Sequence, residues 1–127
     1  MSRRLAEEEA KVAFRQLVHA VMYCHRKSVV HRDIKLENVL YEPSTATVKL
    51  IDFGFAIALA PGAKLNIFCG TPSYMAPEIV NKKEYTFPVD TWALGVLLYK
   101  LLNGVFPFRG ADDKELFRKI NACKLEF

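Results

Sequence analysis

His31-Arg32-Asp33-Ile34-Lys35-Leu36-Glu37-Asn38 decides how the rest of this chain is read, because a hairpin follows it directly. Val39-Leu40-Tyr41 and Val48-Lys49-Leu50-Ile51 are short runs rich in apolar and β-branched residues, separated by a polar turn through Pro43, Ser44 and Thr45. A ladder centred on Thr45 sets Asn38 opposite Asp52, the first residue of Asp52-Phe53-Gly54 and fourteen positions further on. Two oxygen ligands are thereby expected side by side at the open end of two strands. A short hairpin cannot separate its ends by much more than one strand spacing.

Upstream, apolar residues at Ala13, Phe14, Leu17, Val18, Val21 and Cys24 predict an amphipathic helix from Glu7 to about Lys27. Ala6 is a poor cap for it, but Glu7, Glu8 and Glu9 suit the positive end of the helix dipole. Val29-Val30 reads as a further short strand. Downstream, Phe55 to Gly70 has little periodicity and carries Pro61-Gly62 at its middle, so it is expected as a long loop after a brief extended start. Ala76 to Val80 suits a short helix with Pro77 early in it. Val89 to Leu102 is apolar on nearly every face, which predicts a buried central helix ended by Asn103-Gly104. Ala111-Asp112-Asp113 opens a last amphipathic helix with Leu116, Phe117 and Ile120 on one side.

The 127 residues, 51% apolar, suffice for one domain or part of one. A net charge of +4 from 18 basic and 14 acidic residues is spread along the chain, which argues against nucleic-acid binding. Cys24, Cys69 and Cys123 are odd in number and far apart, so reduced thiols are expected rather than a disulfide framework or zinc site. His19, Cys24 and His25 share a helix without completing a ligand set. The charged start leads into no apolar signal core and no segment has the length of a membrane span, so the expectation is a cytoplasmic or nuclear protein away from membranes.

Phosphoryl transfer needs an aligned acceptor hydroxyl, metal ions that neutralise phosphates, and cations where charge develops. Asp33 can take or orient a hydroxyl proton, Lys35 can neutralise a γ-phosphate, and Asn38 with Asp52 can hold magnesium through hard oxygens. With Gly70-Thr71-Pro72-Ser73-Tyr74-Met75-Ala76-Pro77-Glu78, Asp90-Thr91-Trp92-Ala93-Leu94-Gly95-Val96 and Phe106-Pro107-Phe108, these residues resemble the protein kinases. Within that family the resemblance is to serine/threonine kinases of the calcium/calmodulin-dependent and AMP-activated group.

The resemblance implies a protein-kinase-like α+β fold: a mainly helical C-terminal lobe with short β-hairpin strands, residues 1–127 forming a partial kinase domain without the N-terminal lobe or the last C-lobe helices. It implies ATP and Mg2+ as cofactors and a protein substrate. Asp33, Lys35 and Thr71 take catalytic places, Thr71 matching a threonine that bonds the catalytic Asp and Lys. Lys35, Glu37, Asn38, Leu40 and Asp52 fall at the cofactor, Asn38 and Asp52 as metal ligands and Leu40 as a floor for adenine. Glu37 also resembles a glutamate that reads basic residues near the phosphoacceptor. His31, Phe53, Asp90 and Trp92 resemble packing and scaffold residues. Taken singly, Asp33, Asn38 and Asp52 would read as turn and strand-end residues; their joint order overturns that.

Two departures stand out. Phe55 to Gly70 contains no serine, threonine or tyrosine, and Ile67 or Phe68 stands where related kinases carry a phosphorylated threonine. Arg32 would then lack a phosphate partner, and a loop independent of phosphorylation before Thr71 is expected. Nothing upstream of His31 supplies a Gly-x-Gly-x-x-Gly loop or a strand lysine, so this segment alone is expected to be inactive. A non-enzymatic, kinase-like binding module is the competing expectation.

Overall fold

A computed structural model describes residues 5–123. Helix α1 (Glu7–Arg26) buries Ala10, Ala13, Leu17 and Val21, the stripe that helical spacing predicts. Its Ala6 cap has no side-chain bond, and three glutamates in the first turn complement the exposed amides instead. The stripe packs on helix α3 (Pro88–Asn103) and on the hairpin of strands β2 (Val39–Glu42) and β3 (Thr47–Leu50). Val39, Leu94, Leu97 and Leu101 complete this core. Helix α3 buries Val89, Ala93, Leu94, Val96, Leu97 and Leu101 on one broad side but leaves Thr91 and Gly95 exposed, so it is less enclosed than its apolar composition predicts, and it ends where Gly104 turns left-handed at φ 80°.

A second core gathers Val30, Leu59, Met75, Ile79, Tyr85 and Val89. It lies where strand β1 (Val29–Val30) pairs antiparallel with β4 (Ile57–Ala58). The brief extended start expected of the segment from Phe55 onward is thus β4. Val30 is fully buried, and its neighbouring backbone groups must find partners away from water; Ile57 and Ala58 supply them. Further on, Leu65 and Tyr85 exchange two backbone hydrogen bonds of 2.8 Å. The short helix α2 (Pro77–Val80) and helix α4 (Asp113–Ala122) follow as expected. Asp112 caps α4 by accepting from the Glu115 amide at 2.9 Å, and the Glu115 carboxylate in turn accepts from the Ala111 amide at 3.1 Å.

The hairpin register differs by one residue from the sequence expectation. Val39 pairs with Leu50 and Glu42 with Thr47, and the Ile51 amide donates to the Asn38 carbonyl at 2.8 Å. Asn38 therefore faces Ile51, and Asp52 lies one step beyond. The cause is the turn: it uses four residues, Pro43 to Ala46, with Ala46 left-handed at φ 50°, so its centre falls between Ser44 and Thr45. Ser44 steadies it by donating its hydroxyl to Glu42 at 2.7 Å. Among the described residues no helix is long and apolar enough to cross a membrane.

Candidate active site

The loop from His31 to Lys35 leaves β1 and is tied down from beneath. Asp90, 1% exposed in the first turn of α3, accepts the His31 amide at 2.9 Å and the Arg32 amide at 3.0 Å. His25, from the end of α1, meets the same carboxylate at 2.9 Å. These bonds hold Arg32 at φ 71°, a left-handed conformation that a long side chain rarely takes. His25 is thereby engaged with a buried acid, and burial together with Asp90 pushes the Cys24 thiol up, which makes it a poor nucleophile.

His31 is fully buried, and its ring spans two parts of the site. The Asp33 amide donates to Nδ1 at 3.1 Å, while Nε2 lies 3.2 Å from the Ile51 carbonyl. An amide can only donate and a carbonyl can only accept, so the ring is the neutral tautomer protonated at Nε2. Phe53 packs edge-on against it at 4.7 Å. His31 is thus more than packing: it spaces the Asp33 loop from the strand end that carries Asp52.

Asp33 itself is 6% exposed, and its carboxylate is the hub of the cluster. The Thr71 hydroxyl donates to Oδ1 at 3.1 Å and accepts from Lys35 Nζ at 3.0 Å, while Lys35 Nζ stands 3.8 Å from Oδ2. Asn38 Nδ2 donates to the Asp33 carbonyl at 2.8 Å and reaches Oδ2 at 3.3 Å. Gly70 lets Thr71 come this close: at φ 109° a Cβ there would sit 3.1 Å from the Arg32 carbonyl. Tyr74 supports the loop from below, accepting the Leu36 amide at 3.3 Å; burial pushes its phenol up to about 12.

Asp33, Lys35, Asn38 and Thr71 therefore converge although Thr71 is 36 residues from Lys35. Asp52 sits at the neighbouring strand end, left-handed at φ 55°, with Oδ1 accepting the Gly54 amide at 3.1 Å. Glu37 is exposed and Leu40 is 53% exposed, so both face outward from the buried cluster. Phe53 and Phe55 are half-exposed as well. Among the described residues no group of three His, Cys, Asp or Glu could cage a metal. One carboxylate and one amide oxygen, on Asp52 and Asn38, suit an ion such as magnesium that keeps waters and shares phosphate oxygens.

A family model for the protein kinase domain matches residues 1–126. The chain belongs to the protein kinase family. Over 121 residues it is 50% identical to "NUAK family SNF1-like kinase 1" of Mus musculus, an alignment that covers 94% of this chain and 18% of that protein. Over 119 residues it is 51% identical to "NUAK family SNF1-like kinase 2" of Homo sapiens, covering 93% and 19% respectively. The chain thus spans about a fifth of the length of these relatives. Sequence reasoning placed Asp90 as scaffold but missed its bonds to His25 and to the loop, and it missed Tyr85 altogether. A tyrosine in a polar stretch, Lys82 to Thr86, carries no periodic signal.

Proposed function

We propose that these residues carry the transfer half of a serine/threonine protein kinase, which moves the γ-phosphate of ATP to a protein hydroxyl. The observation that supports this best is the Thr71 hydroxyl standing between Lys35 and the Asp33 carboxylate, with Asn38 on the same carboxylate. Asp33 orients the acceptor hydroxyl and receives its proton. Lys35 sits where negative charge develops on the transferred group. Thr71 keeps the acid and the cation apart and aligned, since a direct pair at 3.8 Å would otherwise collapse toward contact. Asn38 and Asp52 would hold magnesium, which supplies neutralisation of the phosphates when bound. Exposed Leu40 offers an apolar floor for the adenine, and exposed Glu37 a carboxylate for basic residues beside the phosphoacceptor.

The 127 residues include no Gly-x-Gly-x-x-Gly stretch. Alone they therefore lack the phosphate clamps that are each worth about 100-fold or more in rate, and their own turnover is negligible. Two measurements test the proposal. Adding Mg·ATP to the chain should shift the backbone resonances of Asn38 and Asp52 weakly, and Asp52→Asn should remove the shifts. Joined behind the N-terminal segment of a 50%-identical relative, the chain should transfer labelled phosphate, with Asp33→Asn lowering kcat by roughly 100-fold or more. Nucleotide-dependent binding without transfer in that fusion would favour the binding-module reading. Clear transfer by the chain alone, abolished by Asp33→Asn, would overturn the claim of inactivity.

A further inference from the structure

The stretch from Phe55 to Gly70 has no hydroxyl that a kinase could phosphorylate, yet both of its ends are tied. At the start, Arg32 Nε donates to the Phe55 carbonyl at 2.7 Å. Near the finish, Leu65 is bonded twice to the Tyr85 backbone, and Phe68 sets its ring edge-on to Phe117 of α4 at 6.1 Å. The Tyr85 side chain stands between the two ends and is 4% exposed. Its hydroxyl lies 2.6 Å from the Ile67 carbonyl and 3.2 Å from Arg32 Nη1. A guanidinium only donates and a carbonyl only accepts, so the hydroxyl takes one bond and gives the other. The Cys69 sulfur is 3.7 Å away on the same group. Burial pushes the phenol up, which keeps it protonated and able to donate at neutral pH.

We infer that Tyr85 is a positioning residue of the proposed transfer site: its hydroxyl closes an Arg32–Tyr85–Ile67 bridge that sets residues 65–71, and so Thr71 on Asp33, with no phosphate on the loop. The consequence for catalysis rests on the kinase reading above, whereas the bridge itself does not. Arg32 is the residue before Asp33; Asp90 fixes its backbone amide and the Phe55 carbonyl accepts its Nε, so its guanidinium is a cation held beside the site. A loop of this kind is held in related chemistry by an anion placed against such a cation. Here a neutral phenol relays the same guanidinium to a backbone carbonyl four residues before Thr71. Ile67 contributes only its carbonyl to that relay, and its residue is 55% exposed. The bond from this hydroxyl to the Ile67 carbonyl, 2.6 Å, is shorter than the 2.8 Å backbone bonds of Leu65, and the charged donor Arg32 on the same oxygen polarises it further.

Amide hydrogen exchange on the 127-residue chain tests the bridge without any nucleotide, so a failed phosphotransfer assay and a failed bridge are separate results. Tyr85→Phe keeps the ring in its core and removes only the hydroxyl. It should speed exchange across residues 65–71 by about ten- to a hundredfold, while α1 and the β2–β3 hairpin keep their protection. Ile67→Glu added to Tyr85→Phe should recover at least about a third of the lost protection on a logarithmic scale, because its carboxylate can pair with the released Arg32. The recovery should disappear when Arg32 is also changed to Gln. Unchanged exchange over 65–71 in Tyr85→Phe overturns the proposal, as does a rise spread evenly over the chain. Loosening that Ile67→Glu leaves untouched also overturns it, since the hydroxyl would then be a packing feature unrelated to the Arg32 charge.

Discussion

Asp90→Asn should destabilise this chain by about 2 to 4 kcal/mol, a figure that follows from how its carboxylate is used. Oδ2 receives the His31 amide and His25 at 2.9 Å each, and Oδ1 receives the Arg32 amide at 3.0 Å. An asparagine has one oxygen to offer. Whichever way the amide is turned, at least one backbone N–H buried against α3 meets an NH2 group, which costs about 1 to 3 kcal/mol. The bonds that survive lose their charge assistance, worth roughly another 1 kcal/mol. His25→Ala removes one bond from a ring that is a fifth exposed, plus its tilted contact with Phe87 at 4.9 Å, and should cost only about 1 kcal/mol. Urea unfolding followed by circular dichroism measures both, with the midpoint falling and the slope unchanged if the native core is otherwise intact. A heat scan should show the same order, at roughly 3 to 5 °C per kcal/mol for a chain of this size. A stability for Asp90→Asn within about 0.5 kcal/mol of the parent would mean that the loop amides are satisfied some other way.

Two further outcomes follow from single groups. The Tyr74 phenol, raised from 10.0 to about 12, favours the folded state while it is neutral. Its contribution is fully present below pH 10 and is lost between about pH 10 and 12, with an upper limit of about 2.7 kcal/mol from the two-unit shift. Comparing the stability of the parent and Tyr74→Phe across that window isolates it: the parent should weaken more steeply, and parallel curves would contradict the assignment. Asp112→Ala removes the cap of α4 and should cost about 1 kcal/mol, with Asp112→Ser recovering most of it in urea unfolding.

Much of this was legible in the chain because it depends on residues close in sequence. Helices α1, α3 and α4 follow from apolar spacing, and the hairpin follows from two apolar runs around a polar turn. The grouping of Asp33, Lys35 and Asn38 needs only a loop of six residues. The hairpin register was one residue out because turn length depends on whether Ala46 goes left-handed, and an alanine announces no such preference. Strand β4 was legible only as a brief extended start to the loop, because two residues have no period; its pairing with Val29-Val30 answers the buried backbone there.

The linear order of residues carries the order of chemical groups and the family: acid, cation, amide and second acid at fixed separations on elements that local propensity builds. Long-range packing governs how distant residues close the site. Thr71 enters between Lys35 and Asp33, Asp90 holds the loop from beneath with His25, and Tyr85 links Arg32 to Ile67. Hydrogen bonds that span 18 to 65 positions leave no trace in periodicity or capping. They exist because a buried donor or acceptor must be paired, and which partner comes within about 3 Å is settled by the packing of α3 and the following loops against the segment from His31 to Asn38.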